Sequence, residues 1–439
     1  MFRLPSRKNT ASSTVSTSSS SSRPPHHKRR GFANPWPSSI PPSLSTIVNN
    51  GLPIRFAPSA DPYEPEAALG QEHVRDIRVL KPEFNKDGEG SIVGTWLGHA
   101  SFLIQFPQPH FSPDLESIRF LFDPIFSSRA GPMRYVGPAR RLPPPCNIEE
   151  LPEVSFVCIS HNHYDHLDLN SILELVKLQP KVRFLVPLGN KQWLTSSGIP
   201  ARQISELDWW EDVDLGPGMA RDDPTAAVLS DEHVSNKVEP RIRVTCVPAQ
   251  HSSGRSVTDQ NGTLWCGWVV EQFFGSGETE QRHCVYHAGD TGYRSVVDAE
   301  EVCPIFKEIG DKFRPIDFAM IPIWRGGSLS FVSAAGLELT TDTLTLAHHA
   351  TPFDALCIHI DLQARHSIGM HFATFVGSEI EGRRAVEGLY EAKKKLYMAA
   401  ESAGKQERVG QWWEEGGFGI VDIGETFVVP PEHTEEAQT

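Results

Sequence analysis

Four side chains able to bind a metal ion fall within six consecutive positions, in the run His161-Asn162-His163-Tyr164-Asp165-His166. Alternate residues of an extended segment share a face, so His161 and His163 can reach one ion. Asp165 and His166 follow the turn and can reach a second ion beside it. Three further donors each close an apolar run: His251 after Val244-Thr245-Cys246-Val247-Pro248, Asp290 within His287-Ala288-Gly289-Asp290-Thr291-Gly292, and His371 at the end of Ser367-Ile368-Gly369-Met370-His371. A single histidine or aspartate at a strand end is usually structural. A group of them in the same context points instead to a metal centre. Imidazole with carboxylate suits zinc, and the same set can hold iron or manganese.

These donors need strands that end at a common mouth. Phe156-Val157-Cys158-Ile159-Ser160 is a buried strand that leads straight into His161. Short β-branched or aromatic runs broken by Gly and Pro predict further strands at 91–96, 102–106, 118–122, 182–187, 241–247, 263–272, 283–287, 316–322, 367–371 and 418–422. Helical patterns fall at 168–178, 352–363 and 381–400. Strands interleaved with helices in this way predict an α/β fold of two packed sheets covered outside by helices, a four-layer αβ/βα sandwich. Three polar or irregular stretches, 217–240, 273–281 and 324–348, read as insertions; the last holds Trp324, Leu329, Phe331 and Val332 without clear periodicity.

Composition narrows the class. With 439 residues and 39% hydrophobic content the chain can bury a substantial core. It has no apolar stretch long enough to span a bilayer, so any membrane contact is expected to be peripheral. The seven cysteines show no C-x-x-C spacing and several sit inside apolar runs, so they read as buried hydrophobes in a reducing, intracellular compartment. Residues 1–60 hold eight of the 41 Lys/Arg and none of the 55 Asp/Glu, which leaves the remainder near −22 and argues against nucleic acid as a partner. Residues 1–50 are Ser/Pro-rich and basic and are expected to be disordered; 51–430 form the folded domain, and 431–439 a flexible tail. The basic leader fits mitochondrial import, with a solvated tail as the other reading. His26, His27, His110, His233, His283 and His433 have no supporting neighbourhood, and Trp209 and Trp210 read as packing residues.

The H-x-H-x-D-H motif, the later His251, Gly289-Asp290-Thr291-Gly292 and the final His371 resemble the metallo-β-lactamase superfamily. Longer strings resemble its N-acylphosphatidylethanolamine-hydrolysing phospholipase D family: Asn34-Pro35-Trp36-Pro37, Thr95-Trp96-Leu97-Gly98-His99-Ala100, Asp123-Pro124-Ile125-Phe126, Leu207-Asp208-Trp209-Trp210-Glu211 and Gly289-Asp290-Thr291-Gly292-Tyr293. The similarity covers most of 90–400. It implies the metallo-β-lactamase fold and two zinc ions, one held by His161, His163 and His251, the other by Asp165, His166 and His371, with Asp290 bridging. It also implies that Tyr164 and His349 contact the lipid head group and that Asp165, Asp290 and His349 serve catalysis. His348 stands next to His349 and competes for that role. His99 and Asp123 are expected to brace the site, Asp123 as the acceptor for the second nitrogen of a metal-binding imidazole.

The activity implied is hydrolysis of N-acylphosphatidylethanolamine to N-acylethanolamine and phosphatidic acid by a metal-bridging hydroxide, without a covalent intermediate. No G-x-S-x-G elbow offers a serine nucleophile instead. Partners implied are a phospholipid at a membrane surface and a second copy of the chain as a homodimer. Residues 324–347 and the N-terminal Pro/Trp/Phe region are the expected apolar approach surface, and the location is expected to be cytoplasmic and membrane-associated. Other readings are a metallohydrolase of a different ester, thioester or lactone, and a metal-free binding scaffold.

Overall fold

The computed structural model describes residues 23–40, 54–56, 76–88, 90–108, 117–215, 241–274, 281–296, 299–324, 337–339, 346–376, 379–402 and 409–431. Alternation of large apolar side chains builds the first sheet. In β3 (Ser101–Gln105), β4 (Arg119–Phe122) and β5 (Phe156–Cys158), the residues Phe102, Ile104, Phe120, Phe122, Phe156 and Cys158 face one cluster. Their neighbours Leu103, Leu121 and Val157 face another. A period of two divides the side chains in this way between the two faces of a pleated sheet. Fully burying each such phenylalanine contributes roughly 1.5–3 kcal/mol.

The sheet runs β16 (Thr426–Val428), β2 (Val93–Gly98), β3, β4, β5, β6 (Arg183–Pro187), β7 (Ile204–Leu207). Its pairs are antiparallel up to β4 and parallel beyond. The second sheet repeats the plan: β8 (Asp212–Leu215), β9 (Arg241–Val247), β10 (Gly267–Phe274) and β11 (Gln281–His287) pair antiparallel, then β12 (Ile316–Pro322), β14 (Ala364–Met370) and β15 (Gly417–Gly419) continue parallel. Trp96, Phe102 and Phe122 of the first sheet share one core cluster with Trp268, Val270 and Phe318 of the second. Trp268 Nε1 also donates to the Ile159 carbonyl at 3.0 Å across the gap.

Helices Leu169–Leu178 and Asn190–Ser196 cover the outer face of the first sheet through Ile172, Leu175 and Leu194. Helices Ile305–Phe313, Pro352–Leu362 and Glu379–Ser402 pack in succession, with Pro352–Leu362 lying on β12 and β14 of the second. The four-layer αβ/βα sandwich is therefore the fold. A small pair, β1 (Ile54–Phe56) with β13 (Leu337–Leu339), lies outside both sheets.

One boundary expectation is corrected. Residues 23–40 fall inside the segment expected to be disordered, yet they form an ordered strap against the domain. Lys28 N donates to Gly31 O, Ala33 N to His26 O, and Phe32 N to Asn261 O, which makes a small hairpin. Gly31 sits at φ +71°, and a Cβ there would lie 2.1 Å from the Asn261 carbonyl oxygen, so only glycine lets the hairpin approach. Trp36 stacks on Trp209 at 5.5 Å, and its burial repays the ordering that the surrounding Ser/Pro composition alone could not. Residues 1–22, 41–50 and 432–439 lie outside the described residues, as do 217–240 and Leu329, Phe331 and Val332 of the apolar approach surface.

Candidate metal centre

The donors come from strand ends of both sheets. β5 leads through Ser160 into His161, His163, Asp165 and His166, while β9, β11 and β14 lead into His251, Asp290 and His371. Three of the turns at this mouth are made by non-glycine residues in the left-handed region: His99 (φ 53°) after β2, Asp123 (φ 40°) after β4 and His371 (φ 64°) after β14. Each costs about 1 kcal/mol or more, a strain that swings the side chain from the strand end into the cleft.

His161 Nε2 and His163 Nδ1 stand 2.8 Å apart, and His251 Nε2 is 3.2 Å from the same His163 atom. Beside them, Asp165 Oδ2 is 3.8 Å from His166 Nε2 and 3.6 Å from His371 Nε2. Asp290 reaches both groups: Oδ2 is 3.7 Å from His251 Nε2 and 3.2 Å from His166 Nε2, and Oδ1 is 3.0 Å from His371 Nε2. His166 Nε2, His371 Nε2 and Asp290 Oδ1 are buried and have no aligned hydrogen-bond partner. Buried polar atoms are costly in that state unless something binds them, and a cation between these lone pairs would satisfy them together. The seven donors therefore fit metal binding.

Electrostatics agree with that fit. Burial alone would raise the carboxyls of Asp165 and Asp290, but the surrounding imidazoles together, His166 foremost with His371 and, at Asp165, His99, outweigh it and hold both well below the usual range. Burial would lower His371, yet Asp290 and Asp165 together outweigh that and lift it to about 9. Burial is likewise overcome at His166, which Asp290 and Asp165 raise well above its ordinary value. Two carboxylates thus draw positive charge onto imidazoles that would otherwise be neutral, which marks the cleft as a place for cations. His161 and His251, further from the carboxylates, are pushed down by burial.

A second layer orients the ligands. Asp123 Oδ2 accepts from His166 Nδ1 at 2.8 Å and from Ser160 Oγ at 2.6 Å, and Ser160 Oγ lies 2.9 Å from His161 Nδ1. His251 Nδ1 donates to the His348 carbonyl at 2.8 Å, and the His251 carbonyl accepts from Asn34 Nδ2 at 2.8 Å. His99 braces the site through its Nε2, 2.9 Å from Asp165 Oδ2, and its ring lies 4.1 Å from that of His371, close enough to join the donors as well.

Of the adjacent pair, His349 faces the centre. Its Nδ1 is 3.7 Å from Asp290 Oδ2, and its ring lies 5.0 Å from Trp324 and 5.5 Å from His371. Burial pushes it down to about 3, so it is neutral at pH 7. His348 contributes its carbonyl to His251. Tyr164 is half-buried with the Arg255 guanidinium 3.9 Å over its ring; the same guanidinium lies 4.7 Å over Trp193 and donates to the carbonyls of Asn162 and Leu167 at 2.9 Å. Arg255 ties down the whole ligand-bearing loop and had no sequence signal beyond its place four residues after His251. Six of the cysteines are buried and Cys357 half-buried; all are free thiols, as their context implied.

The family described as a beta-lactamase superfamily domain matches residues 118–372, from just before β4 to one residue past His371. With its two sheets and converging His/Asp donors, the chain is a metallohydrolase of the metallo-β-lactamase superfamily. A Caenorhabditis elegans protein named N-acyl-phosphatidylethanolamine-hydrolyzing phospholipase D 1 is 34% identical over 315 residues, 70% of this chain and 72% of its own. A mitochondrial protein of that name from Saccharomyces cerevisiae is 29% identical over 79% of this chain and 60% of its own. An uncharacterized protein of Mycobacterium tuberculosis is 31% identical over 68% of this chain and 63% of its own. Within the superfamily, the chain belongs to the N-acylphosphatidylethanolamine-hydrolysing phospholipase D family.

Proposed function

We propose that this chain is a zinc-dependent phosphoric diester hydrolase that cleaves N-acylphosphatidylethanolamine to N-acylethanolamine and phosphatidic acid. The observation that carries it is the reach of Asp290 to donors of both groups, 3.7 Å to His251 and 3.0 Å to His371, in a chain whose relatives bear that activity in their names. His161, His163 and His251 would hold one ion; Asp165, His166 and His371 would hold the other. Two zinc ions there would supply positive charge for a phosphoryl transition state and lower the pKa of a water molecule toward neutrality.

The chain's own groups do the rest. Asp290 and Asp165 would offset the charge of bound ions, while Asp123, Ser160 and the His348 carbonyl fix which imidazole nitrogen faces the cleft. His349 is neutral, with Nδ1 turned toward Asp290, so Nε2 is left to hydrogen-bond a phosphoryl oxygen or the departing oxygen. Tyr164, stacked on Arg255 beside the ligand loop, lines the head-group side. No described helix is long and apolar enough to cross a membrane. In this reading the protein meets its phospholipid at the membrane surface as a peripheral enzyme. The basic N-terminus and the mitochondrial yeast relative support import into mitochondria.

The test is mass-spectrometric detection of both products after incubating the metal-loaded protein with N-acylphosphatidylethanolamine vesicles, beside Asp290→Asn. Release by wild type and not by the variant supports the assignment. A fully metallated wild type that releases neither product overturns it and turns attention to another ester, a thioester or a lactone.

A further inference from the structure

Away from the centre, two imidazoles of the N-terminal strap converge on a single carboxylate. His26 Nε2 lies 2.7 Å from Asp208 Oδ1, and His27 Nε2 lies 2.7 Å from Asp208 Oδ2. One donor atom from each of the three residues falls within 4.8 Å of the others. That spacing resembles the 2.8 and 3.2 Å separations among His161, His163 and His251.

The donors are held before any ion arrives. The His26 ring stacks on Trp209 at 4.3 Å, and the strap hairpin fixes His26 and His27 as successive residues pointing to one place. On the other side, Asp208 Oδ1 accepts from the Trp209 amide at 2.8 Å, and the Asp208 amide donates to Glu211 at 2.8 Å. Its only ion-pair partners among the described residues are the two histidines; no Lys or Arg faces it. Burial holds His26 below its ordinary value, the direction that favours the neutral imidazole a metal ligand must be. Two imidazole nitrogens and one carboxylate oxygen form a three-ligand zinc set, with solvent in the fourth position. The His27 and Asp208 side chains keep 21% and 15% of their exposure, which leaves room for that water.

We propose that His26, His27 and Asp208 form a further divalent-metal site, of zinc type, that clips the strap to the corner between β7 and β8. The same strap carries Asn34, bonded to the His251 carbonyl, and Ser38, bonded to Gln250 at 2.6 Å. An ion at the clip therefore secures the backbone of a ligand in the hydrolytic centre without touching that centre.

The experiment compares the full chain with the double variant His26→Gln/His27→Gln and with Asp208→Asn, each equilibrated at buffered micromolar free zinc. Glutamine can still donate to Asp208, so the strap keeps hydrogen bonds but loses its imidazole ligands. The expected result is one zinc fewer per chain in both variants than in wild type, whatever the hydrolytic centre holds. Zinc should also slow tryptic cleavage at the exposed Lys28, Arg29 and Arg30 several-fold in wild type and leave the variants unchanged. Equal zinc content in all three proteins, or equal protection by zinc in all three, would overturn the proposal.

Discussion

Asp123 Oδ2 accepts from His166 Nδ1 at 2.8 Å with both side chains fully buried. The carboxylate can only accept, so it fixes the tautomer that leaves His166 Nε2 free to bind a metal. Asp123→Asn presents an amide that can donate to Nδ1 and reverse that tautomer. Metal retention against a chelator is expected to weaken by about 10–100-fold. Unchanged retention would mean that Ser160 alone orients the ring.

Arg255 joins two carbonyls of the ligand loop to the faces of Tyr164 and Trp193. Arg255→Ala removes charge-assisted bonds and is expected to cost about 2 kcal/mol of stability, read as a lower unfolding midpoint. Tyr164 loses its support as well, so KM for vesicle substrate should rise more than kcat falls. Arg255→Lys should recover little, because an ammonium cannot fill both the forked and the stacking roles.

Gly289 packs against the ligand-bearing loop. A Cβ there would lie 2.6 Å from Ser160 Cβ and 2.8 Å from the Cys266 carbonyl oxygen, at φ +59°. Gly289→Ala must displace either Asp290 or the strand leading to His161. We expect a loss of at least about 1–3 kcal/mol in chemical denaturation, together with reduced metal content. A variant with wild-type midpoint and metal would refute that close approach.

His359 bridges Ser367 Oγ at 2.7 Å and the Gly416 carbonyl at 3.2 Å, and burial pushes it down to about 4. Its folded pKa lies below the unfolded value near 6.5, so the stability it permits is full above pH 6.5 and is lost as pH falls toward 4. The total is of order 3 kcal/mol. His359→Gln should flatten the pH dependence of Tm between 6.5 and 4. An unaltered slope would assign acid lability elsewhere.

The seven proposed metal ligands were legible because each closes a strand whose β-branched or aromatic residues announce it, and four of them share one short run. The edge strands β7 and β8 were not, since Ile204-Ser205-Glu206-Leu207 and Asp212-Val213-Asp214-Leu215 carry polar residues suited to a sheet margin. Helix Ile305–Phe313 was missed although Ile305, Phe306, Ile309 and Phe313 form its buried face; its nine residues are short for a periodic signal. Contacts distant in sequence stayed hidden altogether. His26 finds Asp208 across 182 positions and Asn34 finds His251 across 217, and local composition marked only the Ser/Pro-rich surroundings of the strap.

The proposed ligands divide between the sheets, with His161, His163, Asp165 and His166 on one and His251, Asp290 and His371 on the other. During synthesis the first group emerges from the ribosome some two hundred residues before the last, His371. A nascent chain halted at any earlier point can offer at most an incomplete nest. If these residues hold metal as proposed, loading would come late and report the docking of both halves, and a chain interrupted before β14 would leave the ribosome unable to seal its own cleft.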